Sequence, residues 1–342
     1  MMQCGSSVKS IISALPDAAL IIDRAGLVMA ANGQADAIFG FAASGLPVTA
    51  MIRAPGLLDA ITAASGNGEA AHIAYEIRFP VPRWFEAHVA PLDPQAPGDP
   101  AILVVLRDLT REQRIERMRA DFVANASHEL RTPLASLSGF IETLQGAARN
   151  DEKSRDRFLG LMKEQARRMG RLIDDLLSLS RIEINEHVAP GGETDLVLIT
   201  RHVADMLSGM AREMGCEIRL TLPASLPVKG DRDELVQVVQ NLVENALKYG
   251  GSGKAVLIEG SSADGVAEIA VQDYGPGIAE EHIPRLTERF YRVSVQDSRA
   301  RGGTGLGLAI VKHILGRHRG RLVIQSAPGK GSRFAIRLPE RK

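Results

Sequence analysis

The sequence predicts a multidomain α+β protein in three segments: an N-terminal α/β domain of short strands, an amphipathic helical hairpin, and a two-layer α/β sandwich. Three observations predict it. Residues 18–107 alternate short apolar runs with turn signals; from Ile115 to Leu179 apolar residues recur at spacings of three and four; and beyond residue 194 the helical and strand periods mix. A chain of 342 residues is long enough for two or three domains of ~100–200 residues each. Its 41 basic and 41 acidic residues cancel, which argues against a nucleic-acid binder relying on a strongly basic surface. The balance is uneven, because residues 1–105 carry five Lys/Arg against nine Asp/Glu, a net −4. The longest apolar run, Ala101 to Leu106, is far short of the ~20 residues of a membrane helix. Met1 to Gly5 lack the features of a secretory signal. Cys4 and Cys216 are too few and too far apart for a disulfide framework. The expectation is a cytoplasmic chain with no membrane span.

In the first segment, Ala18–Ile22 ends at Asp23-Arg24-Ala25-Gly26, and Leu27–Ala31 ends at Asn32-Gly33, the pattern of two strands joined by a turn. A helix is predicted from about Gln34 to Phe41, and further strands at 70–79, 83–90 and 101–107, with a Pro/Gly/Asp-rich loop over Asp93–Pro100. This order resembles a PAS sensor domain (1–109), and Leu106-Arg107-Asp108-Leu109-Thr110 resembles the exit strand by which such domains feed a signalling helix. An α+β domain without a ligand is the plainer alternative.

Thr110-Arg111-Glu112-Gln113 reads as a capping box. The stripe that follows runs through Ile115, Met118, Phe122, Ala126, Leu130, Leu134, Leu137, Ile141 and Leu144. Arg149-Asn150-Asp151-Glu152 breaks it, and Phe158, Met162, Gln165, Met169, Leu172, Leu176 and Leu179 form the face of a second helix, widened by Leu161, Ile173 and Leu177. So wide a face exceeds what one partner helix covers, so two hairpins (110–186) should pair as a four-helix homodimer. The four-residue steps Phe122, Ala126, Leu130, Leu134 interrupt a heptad seam as a stutter does, and such a seam can hold alternative packings.

His128 lies two residues before Leu130, a rotation of about 200° from the stripe, and so faces water with Glu129 beside it and Thr132 four residues on. Pro133 removes an N–H donor, so a bend is expected there. An exposed imidazole beside a carboxylate can be a nucleophile; a lone surface histidine is ordinarily inert. Phe122-Val-Ala-Asn-Ala-Ser-His128-Glu-Leu-Arg-Thr-Pro-Leu134 closely resembles the H box of sensor histidine kinases. That resemblance implies phosphorylation of His128, Glu129 as its acid/base partner, and a Glu129-x-x-Thr132 arrangement for dephosphorylating the partner protein. Within the family, Ser127–Leu144 is most similar to the phosphate-regulon kinases.

Residues 187–193 read as a linker before a third segment, 194–342. Helices are expected at about 196–214, at 233–249 and from near Gly305; strands are expected at 218–222, 254–260, 266–272, 321–327 and 333–338. On the second helix Asn241, Asn245 and Lys248 share a face opposite Leu235, Val239, Leu242 and Ala246, with Tyr249 next. Carboxamides suit a hydrated Mg²⁺ and an ammonium suits polyphosphate, although a solvated polar face reads the same way. Asp273 follows the buried row Ile269, Val271, so its carboxylate needs a donor such as an adenine amino group; a capping Asp in a structural turn is the alternative. Gly275-Pro276-Gly277 offers a tight bend for close approach of a ligand ring. Residues 285–301 carry five Arg against one Glu and one Asp; Arg289 and Arg292 are the candidates for phosphate contact, with Phe290 and Tyr291 to pin the loop. Gly302-Gly303-Thr304-Gly305-Leu306-Gly307 opens a helix, where bare N–H groups favour an anion; its G-x-G-x-G spacing and polar approach do not fit a dinucleotide fingerprint.

In this order these segments resemble the N, G1, F and G2 boxes of the histidine-kinase ATPase fold shared with Hsp90, gyrase B and MutL. The resemblance implies a Bergerat-type ATP pocket: Asp273 on adenine, Asn245 on Mg²⁺, Asn241 and Lys248 near the phosphates, and the Thr304–Gly307 backbone under the β/γ-phosphates. Glu244 departs from the Asp common in the family. The implied function is autophosphorylation of His128 from ATP, transfer to an aspartate of a response regulator receiver domain, and regulator dephosphorylation, with phosphate-starvation signalling as the finer possibility. The rivals are a phosphatase-dominant member, a dead-kinase adaptor, and an ATP-driven conformational machine, which lacks a phosphoacceptor helix. Three of the four tyrosines, Tyr249, Tyr274 and Tyr291, fall within these boxes.

Overall fold

The short strands separated by turn signals join as one antiparallel sheet. The structure, a computed structural model, describes residues 9–77, 82–93, 96, 99–146, 148–184, 188–250, 255–294 and 303–341. Cys4, the predicted strand ends at 78–79 and 254, linker residue 187, the arginine-rich stretch 295–301 and Gly302 lie outside the described residues. The chain divides into two compact units, Met1–Val123 and Ala124–Lys342.

In the first unit β1 (Ala18–Ile22), β2 (Val28–Ala31), β3 (Ala71–Ile77), β4 (Arg83–Pro91) and β5 (Ile102–Asp108) are ordered β2-β1-β5-β4-β3. Leu20 and Ile22 join the main core, while Ala19 and Ile21 pack on the other face with Ile12. Covered on both faces, β1 is apolar throughout rather than alternating. Asn32 is more than a turn residue. Buried at 1% exposure, it accepts the Ala19 and Ala35 amides and donates to the Ile12 and Asp17 carbonyls, so it caps α1 (Gly33–Phe39) and ties it to β1. The short α2 (Val48–Met51) and α3 (Pro55–Asn67) were not separately predicted. The latter buries Leu57, Ala60, Ile61 and Ala64 at helical spacing.

The predicted capping box does not form. The Thr110 hydroxyl donates to Asp108 and accepts the Trp84 amide, while Asp108 Oδ1 takes the Thr110 amide. Arg83 pairs with Asp108 at 2.5 Å and Arg117 lies 4.2 Å over the Trp84 ring. The side-chain oxygen that sequence assigns to the helix end is instead used to fasten that end to β4 and β5.

The helix begun here, α4 (Thr110–Gln145), runs unbroken through Pro133 into the second unit. Asp151 accepts the Ser154 amide at the start of α5 (Glu152–Ile184), and Phe140 meets Phe158 with ring centroids 5.5 Å apart. Beyond it β11 (Arg321–Ser326), β12 (Ser332–Pro339), β10 (Val266–Asp273), β9 (Ala255–Ala263) and β7 (Glu217–Thr221) form a sheet in that order, with only β7–β9 parallel. Three helices, α6 (Leu196–Glu213), α7 (Arg232–Gly250) and α8 (Gly307–Arg317), form the second layer. The predicted linker contributes Glu193 to β6 (Glu193–Asp195), paired with β8 (Pro227–Lys229). A 3₁₀ turn over Glu280–Arg285 follows β10. Among the described residues no helix is long and apolar enough to cross a membrane.

His318, past the end of α8, sets where α7 begins. Nδ1 donates to the Ile314 carbonyl at 2.8 Å, and Nε2 accepts the Asp231 amide at 3.0 Å. Acceptance at Nε2 requires the neutral ring, and burial lowers the His318 pKa below its ordinary 6.5, against the pull of Glu234. A depressed folded pKa means that its stabilisation is present above pH ~6.5 and is lost as pH falls toward the folded value. Thermal melts of the native chain should therefore show Tm falling between pH 7 and pH 5.5, and His318→Gln should flatten that slope. An unchanged slope in the variant would remove His318 as its source.

Candidate functional site

Between α7, the end of β10 and the glycine-rich start of α8 lies a cavity of about 460 Å³. Of the predicted residues, Asn241, Asn245, Lys248, Tyr249, Asp273, Gly277, Arg292, Gly303, Thr304, Gly305 and Gly307 line it; Gly275, Leu306 and Arg289 do not. The α7 residues reach it because the opposite face, Leu235, Val239, Leu242 and Ala246, is held in the core.

Asp273 is 5% exposed and its Oδ1 accepts the Gly275 amide at 2.9 Å. Burial raises its pKa above the ordinary carboxylate value, against the pull of the Gly275 and Ser332 amides. Gly275 is needed for packing. A Cβ there would stand 2.7 Å from both Gly250 Cα and the Tyr249 carbonyl oxygen, and one on Gly250 would meet Asp273 Cβ at 2.3 Å. The end of α7 is thereby pressed onto the end of β10. Gly277 lines the cavity in a left-handed conformation, φ 72°, where a Cβ would meet the Ala327 carbonyl at 2.0 Å.

The F and G2 segments are joined by backbone. Phe290, at φ 63°, donates its amide to the Gly305 carbonyl at 2.8 Å, and Gly305 itself adopts φ 76°. Tyr291 is pinned from outside by His282 Nδ1 at 2.7 Å and by Arg285, 4.2 Å over its ring. Leu306 is fully buried, and α8 starts with no side-chain cap. Its first amides thus keep the character of an anion site. A Cβ on Gly307 would lie 2.8 Å from Asn241 Oδ1, so the helix start can sit this close to α7 only with glycine there.

His128 is exposed, as its rotation from the stripe predicts, and the Thr132 hydroxyl donates to the His128 carbonyl at 3.2 Å. Neither residue lines the cavity. Glu129 Oε2 accepts Arg168 of α5 and Arg292 of the F segment, each at 3.1 Å, with these side chains 14%, 15% and 4% exposed. Arg292 Nε is buried without a hydrogen-bond partner. Elsewhere Thr304 donates to Asp175 at 2.7 Å, Arg289 pairs with Glu183 at 2.5 Å, and Lys248 pairs with Glu244 at 2.6 Å. Each cationic side chain expected to meet phosphate, Lys248, Arg289 and Arg292, therefore rests on a carboxylate, as does the Thr304 hydroxyl. Burial raises the Asp175 pKa, with Glu244 adding to the rise and Thr304 opposing it. For Glu244 burial also acts upward, but Lys248 and Gln240 outweigh it and the net shift is down.

The hairpin's share of the site went unpredicted. Arg171, Asp174 and Asp175 line the cavity, and Ser178 hydrogen-bonds Gln237. A usable signal was present: Arg168, Arg171, Asp175 and Ser178 recur at three, four and three, a polar stripe at the same spacing as the apolar one.

Three protein families match the chain: the PAS fold over residues 12–114, the His Kinase A phospho-acceptor domain over 118–185, and the histidine kinase-, DNA gyrase B- and HSP90-like ATPase over 230–342. The phosphate regulon sensor protein PhoR of Pseudomonas aeruginosa is 42% identical over 239 residues, 69% of this chain and 54% of that protein. The sensor-like histidine kinase SenX3 of Mycolicibacterium smegmatis is 38% identical over 238 residues, 70% of this chain and 62% of that one. The chain thus spans between half and two thirds of the length of these relatives. Among solved structures, the Acinetobacter baumannii histidine kinase AdeS aligns with 63% of this chain and 98% of its own at 26% identity, TM-score 0.50. The histidine kinase ThkA, solved in complex with the response regulator protein TrrA, aligns over 97% of this chain and 98% of its own at 21% identity, TM-score 0.52, a likeness of fold.

Two outcomes follow from the carboxylates. Asp273 is held with a raised pKa, so its charge opposes folding at neutral pH. Asp273→Asn should leave Tm undiminished while a fluorescent ATP analogue no longer binds; a fall in both would make Asp273 a purely structural residue. Asp175→Asn should tighten binding of the same analogue about fivefold to tenfold, equivalent to about 1–1.4 kcal/mol. Weaker binding would mean that Asp175 supports the nucleotide rather than opposing it.

Proposed function

The chain belongs to the sensor histidine kinases, and from that premise we propose that it transfers the γ-phosphoryl group of ATP to His128 and onward to an aspartate of a response regulator receiver domain. The observation that carries this reading is the convergence of the N, G1, F and G2 side chains on one cavity, joined through Arg292 to Glu129, the immediate neighbour of an exposed His128. ATP fits that cavity chemically. The buried Asp273 carboxylate is an acceptor for an adenine amino group, and the uncapped start of α8 offers amides to phosphate. Asn245, with Asn241 one turn away, supplies carboxamide oxygens suited to Mg²⁺, which when bound would offset charge on the phosphates.

For reaction, one ring nitrogen of His128 attacks γ-phosphorus in line while Glu129 takes the proton from the other, and ADP leaves. Glu129 can do this only after Arg292 gives it up; phosphate oxygens are the natural replacement partner for that guanidinium. Thr132, exposed one turn along, would serve the reverse task of positioning water against a phosphorylated regulator. The large apolar side chains left exposed on the hairpin, Leu134, Ile141, Ile173 and Leu177, support pairing with a second copy. The identity shared with PhoR favours phosphate-limitation signalling as the input.

Incubation with γ-labelled Mg·ATP should give acid-labile, alkali-stable label on the native chain and none on His128→Ala. Label that persists in the variant, or never appears in the native chain, would overturn the assignment.

A further inference from the structure

On the outward face of the first unit's sheet, His72 of β3 and His88 of β4 are directly opposed in the antiparallel register. His72 Nε2 and His88 Nδ1 stand 3.0 Å apart, with ring centroids 4.3 Å apart and planes inclined at 39°. We propose that this pair is a binding site for a divalent transition-metal ion, with Zn²⁺ the type case. Two nitrogens bound at about 2.0–2.1 Å to one ion lie roughly 2.9 Å apart at a right angle and roughly 3.4 Å apart at the tetrahedral angle. The observed separation falls inside that interval, so an ion can replace a shared proton with movements of a few tenths of an ångström.

The surroundings suit a cation. Alternation along β4 puts Glu86 on the same face, two residues from His88 and opposite the small Ala74, and Glu76 lies further along β3. On β5, Val105 stands opposite His88 and Arg107 opposite Glu86. Arg107 is the cation on this face of β5, within a segment (residues 1–109) whose six Lys/Arg against ten Asp/Glu leave a net −4. Among the described residues no third His, Cys, Asp or Glu completes a three-ligand group, so the remaining positions belong to water. The site is therefore open and exchangeable rather than a closed structural centre. Because β3 is the edge strand, a bridging ion would clip that edge to β4.

The test uses the full chain, stripped with chelator and titrated with ZnCl₂. Saturable uptake by calorimetry is expected, together with slower hydrogen exchange across residues 71–77. His72→Gln and His88→Gln should each weaken uptake at least by the roughly tenfold that even an outer partner's loss brings, and should abolish the exchange effect, whereas His128→Ala should retain both. No saturable uptake by the native chain, or uptake and exchange unaffected by His72→Gln and His88→Gln, would overturn the proposal and leave a proton-sharing pair. Neither readout depends on phosphorylation of His128.

Discussion

One carboxylate oxygen held by two arginines from different elements organises the second unit. Glu129 Oε2 takes Arg168 from the hairpin's other helix and Arg292 from the F segment, so it closes the hairpin on itself and closes the ATPase domain on the hairpin. A buried pair broken from one side leaves an uncompensated charge at a cost of about 3–5 kcal/mol. Arg292, with its Nε already unpartnered, would bear that cost. In the structure Glu129 is the anion that faces Arg292. The same logic extends to Thr304 on Asp175, Arg289 on Glu183 and Lys248 on Glu244. In each case a carboxylate keeps a cationic or hydroxyl group hydrogen-bonded within the protein.

The glycines make that economy of space possible. Gly250, Gly275 and Gly307 each have a protein neighbour between 2.3 and 2.8 Å from where a Cβ would be. They let α7 press against β10 and α8 start against Asn241. The cavity is therefore shaped by close contact between backbone elements around it. Such contact positions Asp273 and the α8 amides without relying on long, flexible side chains.

What was legible in the sequence follows from the range of the interactions involved. Strands and amphipathic helices are local periodicities, and β10, α7 and the exposed rotation of His128 emerge from them nearly residue for residue. Motif spacing carried the cavity, because Asn241, Asn245 and Lys248 share a face by helical geometry alone. Residues whose roles depend on distant partners were misread or missed. Thr110 resembles a capping residue until Trp84 and Asp108, brought together by β4 and β5, claim its hydroxyl. The contact of Gly275 with Gly250, 25 residues earlier, is likewise invisible in the local turn pattern. Asp175 and Arg171 lie among leucines that define the helix, and their polar stripe acquires meaning only when the ATPase domain supplies Thr304 and the cavity wall. Sequence separation, 129 residues for Thr304 and Asp175, is what hides such pairs.

That clamp also makes Glu129 sensitive to the position of its own helix. Glu129 belongs to α4, which begins at the Asp108–Thr110–Trp84 junction and continues without a break past His128. In an α-helix each residue advances by about 1.5 Å and about 100°. The two bonds to Glu129 are each 3.1 Å, and hydrogen bonds weaken steeply once length or angle departs from the optimum. A displacement of α4 much smaller than one residue step is therefore enough to misalign both. The four-residue steps from Phe122 to Leu134 provide a seam able to settle in more than one packing. The helix thus need not unfold or slide by a full turn to disturb the two hydrogen bonds that hold Glu129.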